Sequence, residues 1–445
     1  MTNTLPNERS ASLTKALSQA KNYLQRQHIH FELEPYGKEP VSYICTLYQN
    51  GEKISSGGGK GATSTQSQVS AIFEAIEHSA LNPCFIEEKM VLRPASEIFK
   101  SSWYNDIPFS LLSECIDNIM CIPYQHTENS EVIYLPVALI NPSYIEAEEG
   151  YPAYRSFTSV HREGDNFDYS ALIKYSTTNG ISAGTTIDEC LIHSVSEIIE
   201  RYTLGEFIIT LVALEHMANY TRVNPKSLPD SLHILYQSCC RELHAGEVHI
   251  LNITSPKWGL PVYLVYLDHP EPAFRTFSAG ASMDPLYALE RALTEMLQRR
   301  AHPHSILNEG QDNARATMVR WYEKEYGEMI EHRTMCHFNI TTLKTPLSAL
   351  PAEDFTVSSP LPDRQNLHDY RLQLINKVKQ AGGEVYWTHL INEYDLHVCS
   401  CFIYPFEPAF ILASGRLISL TRDNLRMIKQ IREEQHAHSR LPTTL

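Results

Sequence analysis

The chain has 445 residues, 43% hydrophobic and 20% charged, enough apolar material to bury a full core and too much for a disordered chain. Its formal net charge of −15 argues against a general nucleic-acid or anionic-membrane surface, because phosphate backbones are held mainly by clustered Lys and Arg. The opening residues lack the apolar core of a signal peptide and no run approaches the roughly 20 apolar residues that span a bilayer, so the cytoplasm is the expected location.

In chain order, Leu13, Leu17, Ala20, Tyr23 and Leu24 predict a helix over 12–28, and 30–36 and 41–48 read as strands. GGGKGATS follows as a flexible turn into a helix ending near residue 80. It is no Walker loop, since Gly61 follows Lys60 where that loop needs Ser or Thr. Residues 85–170 mix short strands with turns, among them EVIYLPVALINPS. A second loop-helix unit spans 179–207 and a third 278–300, with strands at 248–254 and 261–269 between them. A helix near 369–380, strands in VYWTHLI and LHVCSCFIYP, and a helix after Thr421 complete an α/β pattern. The expected division is an N-terminal helix/strand extension (1–40), a main domain (41–415) and a C-terminal helix and tail (416–445). Ten cysteines without a CxxC pair, and scattered histidines, predict reduced thiols and no structural zinc site.

Side by side, the three loop-helix units form an internal repeat, Glu-x-x-[Glu/Gln]-[His/Arg]. The copies are Glu74, Glu77 and His78; Glu197, Glu200 and Arg201; Glu295, Gln298 and Arg299. Gly61 and Gly184 precede the first glutamate by thirteen residues and Gly280 by fifteen. Helical spacing puts Ser70, Glu74 and Glu77 on one face, Glu189, His193, Glu197 and Glu200 on another, and Arg291, Glu295 and Gln298 on a third. A single copy would read as a solvated face with local ion pairs, but these glutamates sit among Val69, Ile72, Phe73 and Ile76, or Ile192, Val195, Ile198 and Ile199. Buried there, they need a cation held by oxygen ligands or a set of arginines. Magnesium takes one or two carboxylates and completes its shell with water and phosphate oxygens, which suits a magnesium-nucleotide site. Helix N-termini would then present N–H groups to the phosphates, with Lys60, Arg201 or Arg291 offsetting charge. A di-iron carboxylate bundle does not fit, because Glu74 and His78 are four apart rather than three. His193 reads as a hydrogen-bonded core histidine.

From about residue 40 to 300 these motifs resemble those of the YcaO family. Ser70, Glu74 and Glu77 match its Ser-x3-Glu-x2-Glu-Arg, with His78 in the place of the arginine. Asn179, Ser182, Glu189, Glu197, Glu200 and Arg201 match the second motif, and Glu295 and Gln298 the third. The resemblance implies a YcaO-like domain of mixed sheets with flanking helices that binds ATP and Mg2+. It implies Glu74, Glu77, Glu197 and Glu200 as metal ligands, and Lys60, Ser70, Asn179, Ser182, Glu189, Arg201, Glu295 and Gln298 as nucleotide contacts.

Family enzymes phosphorylate a peptide amide oxygen after nucleophilic attack, giving azoline, thioamide or amidine products. Here no general base is identified, and the ending His-Ser-Arg-Leu-Pro-Thr-Thr-Leu lacks the proline-rich tail common in azoline-forming members. No leader-binding domain is recognised, so a leader-binding or sulfur-donating partner protein is expected beside a peptide or protein substrate; a homo-oligomer remains open. The competing expectation is a nucleotide-binding accessory or scaffold protein that does no amide chemistry itself.

Overall fold

The computed structural model describes residues 6–105, 109–113, 115–141, 144–146, 158–159, 164–169, 172, 175–213, 220–243, 246–270, 276–299, 347, 350–357, 366–405, 409–412 and 417–420. Ser12 opens helix α1 (Leu13–Arg26) by accepting the Lys15 N–H at 3.3 Å, satisfying one of the donors that a helix start leaves over. Ala16, Ala20, Tyr23 and Leu24 form its buried stripe, and the Leu24 side chain alone contributes about 2 kcal/mol of burial. Strands β1 (Ile29–Tyr36), β2 (Ser42–Gln49) and β3 (Glu52–Gly59) form an antiparallel sheet in that order, with helix α2 (Ser64–Ser79) packed on it.

The glycine run expected to be a turn is therefore the end of a strand. Its composition follows from how closely α2 crosses β3: a Cβ on Gly59 would overlap the Ser67 carbonyl oxygen and lie 2.7 Å from the Ala71 nitrogen. Gly59→Ala is expected to destabilise the chain by about 3 kcal/mol, because helix and strand backbones cannot separate without opening the core. A urea midpoint unchanged from wild type would refute this contact.

The second sheet has the order β4 (Val91–Pro94), β5 (Asn118–His126), β13 (Glu384–Glu393), β14 (Leu396–Tyr404) and β7 (Ile181–Gly184), with β6 (Val132–Pro136) also paired to β5. The third runs β11 (Thr276–Ala281), β10 (Val262–Asp268), β9 (Glu247–Asn252), β8 (Thr221–Asn224) and β12 (Ala352–Asp354). Helix α3 (Ile187–Ala213) packs on β14 and on α6 (Leu367–Gln380), while α4 (Asp230–Glu242) lies beside α5 (Pro285–Gln298). The mixed α/β class is as expected. The helix expected after Thr421 lies outside the described residues. Cys45, Cys115, Cys121, Cys190, Cys239, Cys240, Cys399 and Cys401 are free thiols, and among the described residues no helix is long and apolar enough to cross a membrane.

One topological feature positions the site. β3, β7 and β11 each form an end of their sheet, and each runs straight into one of the glutamate-bearing helices, α2, α3 and α5. Behind each helix is a separate hydrophobic cluster, holding Ile72 and Ile76 of α2, Ile192 and Val195 of α3, and Leu289 and Leu293 of α5. With their apolar faces so anchored, the helices turn their polar faces toward one another.

Candidate functional site

The three units superimpose on their helix caps. Thr63 accepts the Gln66 N–H at 3.2 Å, Thr186 the Glu189 N–H at 3.3 Å, and Asp284 the Leu286 N–H at 2.9 Å. Each cap stands eleven residues before the first glutamate of its motif: Glu74, Glu197 and Glu295. The uneven glycine spacing is resolved by this register. Gly280 lies within strand β11 and is not the counterpart of Gly61 or Gly184.

The units lean on one another in a ring. Glu77 of α2 accepts the Ala183 N–H of β7 at 3.1 Å, α3 packs on β11, and Gln298 of α5 donates to the Gly58 carbonyl of β3. Within the second unit, Gly180, at a φ of +84° that favours glycine, directs its N–H to Glu197 Oε2 at 3.1 Å. Lys60, in the turn between β3 and α2, reaches Glu295 across the ring at 2.8 Å, and Arg299 approaches the other oxygen of Glu295 at 3.4 Å.

Negative charge gathers at this junction. Burial, then repulsion from Glu197 and Glu74, pushes the Glu77 carboxyl well above the usual carboxylate range. Burial also raises Glu74 and Glu200 against the pull of Lys60 on both, of His78 on Glu74, and of Arg201 and Arg291 on Glu200. Burial works against ionisation of Glu295 too, but Lys60, Arg299 and Arg201 together bring it down to about 2. The donor set is all oxygen and under-compensated, which fits a divalent cation. Among the described residues, no three Asp, Glu, His or Cys side chains are grouped to hold a metal ion by themselves, so a magnesium ion here would need phosphate and water in its shell.

A pH dependence follows. A carboxyl raised in the folded chain adds stability below its unfolded value, and that stability is lost as pH rises through the folded pKa. Glu295, depressed, is fully ionised through this window and adds no slope there. The unliganded chain should therefore lose melting temperature through Glu74, Glu77 and Glu200 as pH rises above the ordinary carboxylate range, and Mg2+ should stabilise it more at alkaline than at acidic pH, because at acidic pH these ligands must shed protons to bind. Equal stabilisation by Mg2+ at both pH values, read by thermal denaturation, would contradict the arrangement.

The other expected contacts divide. Ser70 accepts the Lys60 N–H at 3.3 Å, and the Asn179 N–H donates to Thr177 Oγ1 at 3.1 Å, both beside the junction. Ser182 is differently placed: its buried hydroxyl donates to the Cys190 carbonyl at 2.7 Å and pairs with Ser194, tying β7 to α3. Glu189 is also engaged within the chain, by Arg9 at 2.9 Å, Ser10 at 2.8 Å and Thr185 at 2.7 Å. His78 is exposed and its Nδ1 meets the Ser56 carbonyl at 2.7 Å, near enough to Glu74 to act on it through charge. His193 is the hydrogen-bonded histidine expected, its Nδ1 2.8 Å from Arg291 Nη1. Burial and then Arg291 hold its pKa well below the usual value, so the neutral ring accepts from the guanidinium. Sequence reasoning missed the role of residues 8–10, whose partners lie far along the chain. A cavity of about 410 Å3 between Lys100, Glu131, Lys379 and Glu384 lies apart from the junction, and there Lys100 pairs with Glu131 at 3.1 Å.

Comparison with known proteins identifies the family and the fold. Residues 58–404 match the family model described as YcaO cyclodehydratase, ATP- and Mg2+-binding. The ribosomal protein S12 methylthiotransferase accessory factor YcaO of Escherichia coli is 22% identical over 54% of this chain and 40% of its own length. An uncharacterised protein of Methanothermobacter thermautotrophicus is 24% identical over 59% of this chain and 61% of its own. The matches thus span 40% to 61% of the curated relatives. YcaO from Methanopyrus kandleri, solved with AMPPCP and Mg2+, shares the fold with a TM-score of 0.61 at 19% identity over 90% of this chain and 92% of that one. A heterocyclase in complex with substrate and cofactor gives 0.54 at 16% identity over 89% and 52%. With a family model matched over most of its length, the chain belongs to the YcaO family and takes ATP and Mg2+ as its cofactors.

Proposed function

We propose that this chain uses ATP and Mg2+ to activate a backbone amide of a peptide, phosphorylating the amide oxygen after a nucleophile has added to the carbonyl carbon, so that the oxygen departs as phosphate. The observation that carries the reading is the junction of α2, α3 and α5, where Glu77 of one helix accepts a backbone N–H of the next unit and the carboxyls of Glu74, Glu77 and Glu200 are held above the ordinary carboxylate range although Lys60, Arg201 and Arg291 stand near them. In this reading Glu74, Glu77, Glu197 and Glu200 supply the metal ligands, one or two to each Mg2+ ion. Lys60 and Arg201 take phosphate oxygens, and Ser70, Asn179, Glu295 and Gln298 line the nucleotide. Ser182 and Glu189 support the site from behind. Bound Mg2+ supplies charge neutralisation for the transferring phosphoryl group. The protein's part is to orient that group and keep water from it.

A cysteine, serine or threonine side chain as nucleophile gives an azoline, and sulfide a thioamide. The heterocyclase above, and an Escherichia coli microcin synthetase complex solved with pro-MccB17 bound (TM-score 0.51, 13% identity, 84% and 86% coverage), support a peptide substrate delivered with a partner. Incubation with Mg-ATP and a Cys/Ser/Thr-rich peptide should release phosphate together with loss of one water per modified residue, or a sulfur-for-oxygen mass gain. ATP consumption without any change in peptide mass would sink the amide reading. The name of the Escherichia coli relative supports a second reading, an accessory protein that binds the nucleotide for a modifying partner. In that case phosphate release requires the partner and no peptide mass changes without it.

A further inference from the structure

Residues 8–10 join the turns of the second and third units. The Glu8 carboxylate, buried, accepts from Ser282 Oγ in the turn before α5 and from Tyr370 Oη of α6 at 2.6 Å. Arg9 bridges two helices: its Nη1 donates to Glu189 Oε1 at the start of α3 at 2.9 Å, while Nε and Nη2 lie 3.3 Å from Tyr287 Oη at the start of α5. Ser10 donates to Glu189 Oε2 at 2.8 Å and pairs with Thr185. Glu8 and Glu189 each place an anion at a helix start, where the backbone dipole favours it. Behind them, Arg291 feels the charge of Glu200 first, then of Tyr287 and Glu8, and donates to His193. The segment therefore touches both helices that carry the second and third motifs, without itself lying on either.

We propose that Glu8, Arg9 and Ser10 form a clamp that fixes the spacing of the second and third units, with Arg9 a positioning residue for the nucleotide site that acts through Glu189. The proposal rests on the nucleotide reading above. The charge-assisted contacts of this segment at the starts of the two helices set the separation of Glu197 and Glu200 from Glu295 and Gln298, and small displacements there are amplified along helices 14 and 27 residues long.

The test is calorimetric titration of the full chain with Mg-ATP. Arg9→Ala should weaken binding about tenfold, the scale of a lost charge-assisted pair. Glu189→Gln should weaken it similarly, and the double variant no further, since the two act as one unit. Ile133→Ala, a cavity in β6 beyond β13 and β14 from β7, serves as a control that loses melting temperature without touching the clamp. Unchanged affinity in Arg9→Ala, an equal loss in Ile133→Ala, or additive losses in the double variant would overturn the proposal. Failure of the unsubstituted chain to bind Mg-ATP would overturn the nucleotide reading first, and the clamp's role with it.

Discussion

Replacing Glu77 by glutamine is expected to raise the melting temperature of the unliganded chain at about pH 8 while weakening Mg-ATP binding by about 100-fold, close to the effect of removing one of very few ligands to a metal-phosphate cluster. The two effects have opposite signs for one reason. Glu77 is half-buried beside Glu74 and Glu197, and both loss of hydration and repulsion oppose its charge. A glutamine of the same shape keeps an oxygen for the Ala183 N–H, which Glu77 now accepts at 3.1 Å, and removes the charge. The gain should be about 1 kcal/mol, modest because the carboxyl already escapes part of the cost by holding its proton. With a metal bound the balance reverses, because the carboxylate is then compensated and the amide is a poorer ligand. Thermal denaturation with and without Mg-ATP reads both signs. A variant less stable than wild type and equally tight for nucleotide would show that Glu77 is structural.

Lys60→Met should have the converse signature. Lys60 lies 2.8 Å from Glu295 and lowers Glu74, Glu77 and Glu200 as well. Removing one member of a buried pair leaves an uncompensated charge at a cost of about 3–5 kcal/mol when burial is complete. The Lys60 side chain keeps 25% of its exposure and that of Glu295 13%, so solvent screening reduces the expected loss to about 2 kcal/mol at neutral pH. Because the missing element is positive charge, Mg2+ alone should restore part of the lost melting temperature, and more of it than Mg2+ adds to the wild-type chain. Rescue by NaCl as effective as by MgCl2 at matched ionic strength would mean only general screening.

Much of the site was legible because helices write their faces into local spacing. Glu74 and Glu77, Glu197 and Glu200, and Glu295 and Gln298 needed only the helical period to be placed together, and their apolar neighbours showed that the faces were buried. Strand ends were harder to read. The triple glycine at 57–59 signals a turn by propensity, yet it is β3, where glycine serves the close passage of α2. A tertiary contact overrode the local preference. Counting from glycines consequently misaligned the third unit, whereas counting from the caps Thr63, Thr186 and Asp284 aligns all three. Ser182 sits beside the second motif in sequence, but its hydroxyl is turned into the α3 packing. The clamp was not legible at all. Glu8 finds Tyr370 and Arg9 finds Glu189 and Tyr287, pairs hundreds of residues apart that carry no periodicity.

The units also cover part of one another's strand edges. Each of the strands β3, β7 and β11 ends its sheet among the described residues, a position that ordinarily invites pairing with another chain. Here a polar side chain from another unit reaches two of those strands, Glu77 on Ala183 and Gln298 on Gly58. The same residues that cover the strands thus form the inner wall of the junction, and loss of one unit would expose the next.

The most direct measurement is a calorimetric titration of the chain with ATP in the presence and absence of Mg2+, repeated on Glu77→Gln and Glu200→Gln. Saturable binding by the wild-type chain that depends on Mg2+ and collapses in both variants is the predicted result. Binding that is indifferent to Mg2+, or unchanged in the two variants, would contradict a nucleotide site built from the carboxylates of these three helices.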